Sequence, residues 1–597
     1  MTALTSSTPS LSALKSIFGY DSFRDGQQTV IDQIIAGKDV LVLMPTGGGK
    51  SLCYQLPATL LDGLTLVISP LISLMQDQVE QVTELGVKAA FLNSSQSSET
   101  QQEIIEAIQN RTLDLLYVSP EKALQYSFRS LLASNKVALI AIDEAHCVSH
   151  WGHDFRADYR GLHQLKQHYP KVPMIALTAT ADTSTQSDIV QQLGLDEPYI
   201  YKGSFDRPNI HYRVLQKYKP FEQVAKYVAQ QDSSGIIYCN SRAKVDDIAD
   251  KLKKRGIRSA AYHAGMDNDE RAWVQRQFLT DSIQVVVATV AFGMGINKSN
   301  VRYVVHHDVP RSIENYYQET GRAGRDGLPS EALLLFDEKD AARVKQWIEQ
   351  GENNERLAVC LQKFEAMEAF GDALTCRRMV LLNYFSEFAN KSCGNCDICL
   401  DPPTLFDGLE TAQKVLSCIF RLGQCAPTQY VIDIIRGKKH QRLNPEHVEL
   451  TTHGIGKDKP DAYWHSIINQ LIHKGIIRVD LEAHAALRLT EAARPVLKGE
   501  DAIQLALPRL DVKSTKAAET KEYDKALFAR MKHLRKAIAD EHNVPPFVIF
   551  SDATLIDMVQ KLPMSKRDML SVSGVGETKL ERYGAAFLTL IEEYAAS

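Results

Sequence analysis

Residues 44–51 have the composition of a phosphate-binding turn. They follow an apolar run at residues 40–43, which predicts a buried parallel strand, and they place three successive glycines before a lysine and a serine. Glycines permit a tight turn whose N–H groups point inward at phosphate oxygens, and a helix predicted to start at Lys50 adds its positive N-terminal end. Lys50 would then reach the phosphates, and the Ser51 hydroxyl would bind Mg²⁺. The predicted phosphate-binding residues are Thr46, Gly47, Gly48, Gly49, Lys50 and Ser51.

This segment departs from the strict phosphate-loop pattern at one position. Met44 stands where the pattern has its first glycine, whereas the glycine, lysine and serine at its end are intact. The alternative interpretation is a glycine-rich turn with a surface lysine. The order of strand, glycines, lysine and serine favours phosphate binding.

A carboxylate pair follows another apolar strand. Residues 137–142 are apolar and lead directly to Asp143, Glu144 and, two residues further, His146. Mg²⁺ prefers oxygen ligands and retains several waters, so Asp143 is predicted to hold it through water. Glu144 is predicted to orient and deprotonate the water that attacks a γ-phosphate, and His146 to report the nucleotide state to its neighbours. The alternative is that Asp143 caps the start of a helix.

The loop predicted after His146 carries aromatic and basic side chains. Trp151 and Phe155 offer ring faces on which unpaired bases could stack, and Arg156 offers a guanidinium to phosphate. This composition favours a contact with single-stranded nucleic acid. Ordinary packing of the two aromatic rings against the sheet is the alternative.

A second basic cluster lies near the end of the repetitive part of the chain. Arg322 and Arg325 are three residues apart and share a helix face, and Gln318 precedes them. A guanidinium matches phosphate oxygens as a fork, and an inserted arginine stabilises the charge of phosphoryl transfer. The alternative is a solvated basic helix.

Short apolar runs that end in polar clusters repeat from residue 40 to residue 340. The runs at residues 64–68, 115–118 and 175–177 are separated by enough chain for crossover helices. This pattern predicts βαβ repetition, with functional groups at the carboxyl ends of parallel strands. A second set of runs starts at residue 236, so two α/β sheets are predicted, with a junction near residues 205–220.

Composition bounds the class of protein. A chain of 597 residues is too long for one core and suggests about four domains. The net charge of -5 gives no electrostatic argument for nucleic acid over the whole chain, so any such site must be a local basic patch. No apolar run is long enough to cross a bilayer, and the first residues lack a basic signal region, which predicts a cytoplasmic location.

Four of the ten cysteines have metal-ligand spacing. Six are scattered singly, whereas the others follow the pattern C-x16-C-x2-C-x2-C. Four thiolates suit tetrahedral Zn²⁺, and a redox pair or an iron–sulfur cluster is the alternative. These four residues are Cys376, Cys393, Cys396 and Cys399.

Taken together, these motifs closely resemble the RecQ family of DNA helicases, within superfamily two. The resemblance implies that ATP lies between two RecA-like domains, that Tyr20, Arg24 and Gln27 contact adenine, and that Arg325 is the arginine finger. It also favours zinc over the alternatives at the four cysteines. The segments that carry it are residues 18–27, 44–51, 143–156, 178–180, 287–295 and 318–325, and it extends over nearly the whole chain.

The resemblance also predicts the domain order. The fold class is α/β, with two tandem RecA-like parallel-sheet domains at 1–207 and 208–342, a zinc-binding module at 343–406 and a winged-helix domain at 407–505. A linker at 506–519 and an all-α HRDC bundle at 520–597 complete the chain. In the winged helix, the basic run 436–442 suits backbone phosphates, with a solvated loop as the alternative, and His484 would lie at the wing tip.

The function implied is an ATP-dependent 3′–5′ DNA helicase of recombination, repair, replication and the SOS response. Expected cofactors are ATP, Mg²⁺ and Zn²⁺. Expected partners are single-stranded and forked DNA, and single-strand-binding protein through the winged helix. The resemblance implies a bacterial, nucleoid-associated protein of the cytoplasm. An RNA helicase, or a DNA-regulated ATPase scaffold that does not unwind, is the alternative.

Overall fold

Seven strands in the first part of the chain form one parallel sheet. The computed structural model describes residues 9–93, 96–133, 135–149, 156–179, 183–293, 298–351, 354–441, 443–480, 483, 485–507, 524–542 and 544–595. The strands are β1 Val40–Leu43, β2 Leu64–Ile68, β3 Ala89–Leu92, β4 Leu115–Val118, β5 Val137–Ile142, β6 Met174–Thr178 and β7 Tyr199–Lys202. Their order across the sheet is β3-β4-β2-β5-β6-β1-β7. Strands β5, β6 and β1 are neighbours, so their carboxyl ends meet at one edge.

Helices cover both faces of this sheet and bury its apolar residues in two cores. They are α1 Pro9–Ala13, α2 Gln27–Ile35, α3 Leu52–Leu60, α4 Ile72–Glu84, α5 Ser98–Gln109, α6 Pro120–Leu124, α7 Tyr126–Ala133, α8 His163–His168 and α9 Thr183–Leu193. Shorter turns are π-helical at Leu14–Phe18 and 3-10 at Ala145–Val148 and Ala157–Leu162.

A second parallel sheet follows directly. Its strands are β8 Ile210–Gln216, β9 Gly235–Tyr238, β10 Ser259–Tyr262, β11 Val285–Ala288, β12 Tyr303–His306 and β13 Ser330–Phe336, in the order β10-β11-β9-β12-β13-β8. Its helices are α10 Pro220–Val228, α11 Arg242–Lys254, α12 Asn268–Leu279 and α13 Ile313–Thr320. The two sheets are therefore joined by residues 203–209, which overlap the start of the junction predicted near residues 205–220.

A helical module packs against edge strand β8. Its helices are α14 Glu338–Gly351, α15 Asn354–Gly371, α16 Arg377–Tyr384 and α17 Asp397–Leu400. Tyr212 of β8 forms a parallel bridge with Cys396, and the N–H of Val214 donates to Oδ2 of Asp397 at 2.9 Å. The cysteine segment thus extends the second sheet at its edge.

A domain with two small antiparallel sheets comes next. Its elements are β14 Leu405–Asp407, α18 Leu409–Arg421, α19 Thr428–Arg436, α20 Pro445–Val448, α21 Asp461–His473, β15 Ile477–Asp480, β16 Ala486–Leu489, α22 Ala493–Lys498 and β17 Gln504–Ala506. Helix α21 followed by the β15–β16 hairpin is the helix, strand, turn, strand order of a winged helix.

The last described part is a helical bundle around its own core. Its helices are α23 Lys525–His542, α24 Pro546–Ile549, α25 Asp552–Lys561, α26 Lys566–Met569, α27 Glu577–Lys579 and α28 Ala585–Ala595, with a π-helical turn at Leu580–Gly584. The bundle packs on the first sheet domain, where Nη1 of Arg582 and the Tyr583 hydroxyl each donate to Oε2 of Glu84 at 2.8 Å. The Gly574 N–H donates to the Gly19 carbonyl at 3.0 Å, which adds a backbone hydrogen bond to the contact between the bundle and the first sheet domain.

Among the described residues, no helix combines the length and the apolar character needed to cross a membrane.

Candidate functional site

Residues 44–51, here called the phosphate loop, follow β1. They form a turn that only glycine adopts without strain. Gly47 and Gly49 have φ of 82° and 83°, in the left-handed region. A Cβ on Gly48 would lie 2.9 Å from the Pro45 carbonyl oxygen. Nζ of Lys50 folds over this turn and donates to the Met44 carbonyl at 3.1 Å.

The helix after the loop begins later than predicted. Its N-cap is Ser51 and α3 starts at Leu52, not at Lys50. The N–H groups of Leu52 and Cys53 donate to the carbonyls of Gly49 and Lys50, three residues back, so a tighter turn separates the loop from the helix. Lys50 and Ser51 thereby stay within the loop.

The carboxylates lie at the end of β5, beside the loop. Burial, and then the negative charge of Glu144, raise the pKa of Asp143 to about 7, while Lys50 opposes this shift. Burial lowers the pKa of Lys50 in turn, against the charges of Glu144 and Asp143. The three groups therefore interact electrostatically at one partly buried site. A 3-10 turn follows Asp143, in place of the capped α-helix of the alternative interpretation.

Glu144 adopts a backbone conformation that is rare for a side chain of its size. Its φ is 49°, in the left-handed region, which costs on the order of 1–3 kcal/mol. Its Oε2 lies 3.3 Å from Nδ1 of His146, and the same Nδ1 lies 3.0 Å from Oγ1 of Thr178 at the end of β6. His146 is fully buried. The strained turn thus aims Glu144 toward the loop and joins it to the neighbouring strand.

The start of α2 and the segment before it contact the phosphate loop. Nε2 of Gln27 donates to the Gly49 carbonyl at 3.1 Å, and its Oε1 accepts from the Arg24 N–H at 2.9 Å. Nη1 of Arg24 donates to the Gly47 carbonyl at 2.5 Å. Tyr20 remains exposed at 44%. These contacts place Gln27 and Arg24 beside the loop, and contact of Tyr20, Arg24 and Gln27 with adenine stays a prediction.

The second sheet domain brings its arginines to the same loop. Residues 321–325, here called the arginine turn, follow α13, on which Gln318 lies half-buried. A Cβ on Gly47 would lie 3.4 Å from Cγ of Arg325, and a Cβ on Gly321 would lie 3.0 Å from Cβ of Thr46. The absence of side chains at both glycines therefore lets the two domains meet at the phosphate loop.

The loop after His146 is described only at its ends. Trp151 and Phe155 lie outside the described residues, as does Thr180. Nη1 of Arg156 donates to the Pro70 carbonyl at 3.2 Å. The hydroxyl of the buried Tyr159 donates to the Asp143 carbonyl at 3.1 Å, so the far end of the loop is tied to the carboxylate segment.

The four predicted metal-binding cysteines converge. Their sulfurs all lie within 4.8 Å of one another, with 3.8 Å between Cys393 and Cys399 and 4.0 Å between Cys396 and Cys376. A tetrahedral zinc with Zn–S bonds of about 2.3 Å separates its sulfurs by about 3.8 Å. The donor set and its dimensions therefore fit Zn²⁺.

A second group of potential ligands is an ion-pair cluster. Cys239, His307 and Asp308 lie together at the ends of β9 and β12. Oδ1 of Asp308 accepts from Nζ of Lys217 and of Lys244, each at 2.9 Å. Two ammonium groups on this carboxylate disfavour a cation there.

Comparison with known domain families supports this domain order. The matched descriptions are DEAD/DEAH box helicase over residues 24–189, helicase conserved C-terminal domain over 217–327, RecQ zinc-binding over 338–400, RQC domain over 402–514 and HRDC domain over 524–591.

Similarity to curated proteins extends over the whole chain. An ATP-dependent DNA helicase RecQ of Haemophilus influenzae is 53% identical over 594 residues, which cover 98% of this chain and 96% of the relative. The proteins of that name from Pasteurella multocida and Bacillus subtilis are 52% and 40% identical, over 98% of this chain and 94% and 98% of theirs. The chain belongs to the RecQ family of ATP-dependent DNA helicases. The predicted fold class is confirmed, as are the zinc-binding module and ATP as the nucleotide.

Two side chains of the basic run form ion pairs within the winged helix of this RecQ-family chain. Nε of Arg436 lies 3.0 Å from Oδ1 of Asp461, and Nζ of Lys438 lies 2.9 Å from Oδ1 of Asp433 and 2.5 Å from Oδ2 of Asp461. These ion pairs reduce the charge that the two side chains offer to phosphate. His484 lies outside the described residues, and its role at the wing tip stays a prediction.

Two further arginines border the site, and the sequence motifs assign neither of them a role. Arg207 lies in the connection between the two sheets, and Arg378 lies on α16 just after the first zinc-site cysteine. Both are buried. Their position next to the junction and next to Cys376 is the only signal that the sequence offers for them.

Proposed function

We propose that this protein hydrolyses ATP to move 3′ to 5′ along single-stranded DNA and thereby separates duplex strands. The observation that carries the proposal is the convergence of one site from both sheet domains. The phosphate loop, Asp143 and Glu144 come from the first domain, and the arginine turn comes from the second. A site divided in this way can convert hydrolysis into relative movement of the two domains.

We assign the catalytic roles from the sequence motifs, with the convergence of the two domains as support. Lys50 and the N–H groups of residues 47–51 would bind the phosphates. Glu144 would take the proton of the attacking water, and Arg325, with Arg322 and Gln318 beside it, would stabilise the charge of the transferred phosphoryl group. Ser51 and Asp143 would hold Mg²⁺, which supplies charge compensation when bound.

Unwinding of tailed duplexes tests this proposal. We expect strand separation of forked and 3′-tailed DNA with ATP and Mg²⁺, and little of 5′-tailed DNA, because a motor that moves 3′ to 5′ must load on a 3′ tail. Omission of ATP or of Mg²⁺ is the control. Equal unwinding of both tails would reject the polarity, efficient unwinding of matched RNA duplexes would favour an RNA helicase, and ATPase without unwinding would favour a scaffold.

Trp151 provides the test of coupling to DNA. The loop around it begins at the carboxylates, and its far end is tied back to Asp143 through Tyr159, so DNA bound to the ring would act on the hydrolytic groups. We expect Trp151→Ala to retain basal ATPase and to lose most DNA stimulation and unwinding, since stacking on one base is worth about 1–3 kcal/mol. ATPase is measured with and without single-stranded DNA, beside DNA binding without nucleotide. Normal stimulation of the variant would assign the ring to core packing.

The proposal extends to the cellular setting. A nucleoid-associated protein of the bacterial cytoplasm that acts in recombination, repair and replication would meet single-stranded DNA covered by single-strand-binding protein. We propose the winged helix as its contact with that protein. The support for both statements is the family to which the chain belongs.

A further inference from the structure

The guanidinium of Arg207 joins the two motor domains at the phosphate loop. Arg207 lies in the connection between β7 and β8 and is 8% exposed. Its Nη1 donates to the Thr46 carbonyl of the phosphate loop and lies 3.4 Å from the Gly321 carbonyl. Its Nη2 donates to the carbonyls of Ala323 and Gly324, each at 3.0 Å. One side chain therefore holds the phosphate loop against the arginine turn.

Most of the charged groups around Arg207 are positive, so they repel one another in the protein without a bound nucleotide. A buried cation is usually paired with a carboxylate, whereas within the described part of the chain the hydrogen-bond partners of Arg207 are these backbone carbonyls. Burial, and then the positive charges of Arg322 and Arg207, lower the pKa of Arg325 to about 9. Lys50 adds a fourth positive charge at the same loop, and the carboxylates of Asp143 and Glu144 supply only two negative charges against these four. The phosphates of a nucleotide would offset this repulsion.

The backbone of the connection is held from a third side. Nη2 of Arg378 on α16 donates to the carbonyls of Arg207 at 3.2 Å and of Ile210 at 3.0 Å. Oε2 of Glu387 accepts from the Phe205 N–H at 2.6 Å. The zinc-binding module thus holds the backbone of the connection in place, so the Arg207 side chain extends to the phosphate loop from a fixed position.

We propose that Arg207 is a positioning residue for ATP hydrolysis, which sets the arginine turn relative to the phosphate loop so that Arg325 reaches the transferred phosphate. This inference rests on the proposed function and adds a residue that the sequence motifs do not contain. Within the phosphate loop Arg207 contacts the Thr46 carbonyl and none of the N–H groups, so those groups and Lys50 still bind ATP without it. Its loss should therefore lower kcat more than it raises KM.

The test compares the DNA-stimulated ATPase of the wild type with that of three variants. Asn209→Ala is the matched control, because Nδ2 of Asn209 donates to the carbonyls of Gly324 at 2.8 Å and Leu328 at 2.9 Å, both in the second domain. It supports the arginine turn without contacting the phosphate loop. Arg207→Ala removes the bridge. Arg207→Lys keeps the charge but not the planar fork that reaches both sets of carbonyls.

The expected result is a loss of kcat in the two Arg207 variants and not in the control variant. A misplacement of about 1 Å can cost about 100-fold in rate, so we expect Arg207→Ala to lose about 100-fold in kcat with KM for ATP within about 3-fold. Arg207→Lys should regain less than about a tenth of the kcat that Arg207→Ala loses. The kcat of Asn209→Ala should stay within about 3-fold of that of the wild type. Zinc content and DNA affinity, measured on the same samples, should be unchanged, and the thermal midpoint measures the stability lost with the buried hydrogen bonds of Arg207.

Three results would overturn the inference. They are a normal kcat in Arg207→Ala, full activity in Arg207→Lys, and a loss in Asn209→Ala as large as that in Arg207→Ala. If Arg207→Ala does not fold, Arg207→Lys decides, because it keeps the buried stem and the charge: a lower kcat at an unchanged midpoint supports the bridge. A wild type without DNA-dependent ATPase would contradict the proposed function, and that failure is distinct from these three.

Discussion

Glu144→Gln is expected to bind ATP and to fail to hydrolyse it. Oε2 of Glu144 lies 3.3 Å from Nδ1 of His146, and an amide oxygen can occupy the same position, so the geometry of the site should persist. An amide cannot take a proton from water, and loss of a general base costs up to about 10⁴-fold in rate. The measurement is DNA-stimulated turnover, beside equilibrium binding of a fluorescent ATP analogue.

Lys50→Ala provides the comparison for this variant. It removes the ammonium group that compensates phosphate charge, so ATP binding and turnover should fall together. Undiminished turnover in Glu144→Gln would remove Glu144 from the mechanism. If Glu144→Gln lost ATP binding as fully as Lys50→Ala, Glu144 would be needed for the shape of the site and not for proton transfer.

The central strands could be predicted from the sequence, and the edge strands could not. The apolar runs match the bounds of β2, β4 and β5, because a parallel strand that is buried on both faces is apolar throughout. The strands without such a run are β3, β7, β8 and β10, which are the four edges of the two sheets. An edge strand is partly exposed, so it needs no continuous run of large apolar residues: β3 and β10 each contain two alanines, which are uncommon in strands, and β7 ends in Lys202.

The chemistry of the site could be predicted where it depends on neighbours in sequence. The glycines, Lys50, the carboxylate pair and the cysteine spacing are local patterns, and the structure brings each set together. Thr46, which Arg207 contacts, is 161 residues away along the chain, and Asp461, one of the two partners of Lys438, is 23 residues away. Pairing at such separations depends on the fold, so composition alone could not reveal that one arginine bridges two domains, or that a basic run is partly neutralised.

Loss of zinc is the second large effect that we expect, and it should extend to the ATP site. The cysteine spacing alone predicts that Cys396→Ala lowers solubility and DNA binding more than ATP turnover, because a zinc site contributes folding free energy. The contacts change this expectation. Cys396 forms the bridge to Tyr212 of β8, and Arg378, two residues after another ligand, holds the backbone of Arg207.

We therefore expect Cys396→Ala to lose bound zinc, to unfold at a lower temperature, and to lose kcat for ATP along with DNA binding. Cys418→Ala is the matched control, since Cys418 is as fully buried as Cys396 but lies in the winged-helix core, away from the metal. Zinc content by metal analysis, the thermal midpoint and DNA-stimulated ATPase are measured on both variants. Iron with visible absorbance in the wild type would contradict the zinc assignment. Normal kcat in a zinc-free Cys396→Ala would show that the connection keeps its position without the metal, because Arg378 on α16 and Glu387, which follows that helix, would then be sufficient to hold it.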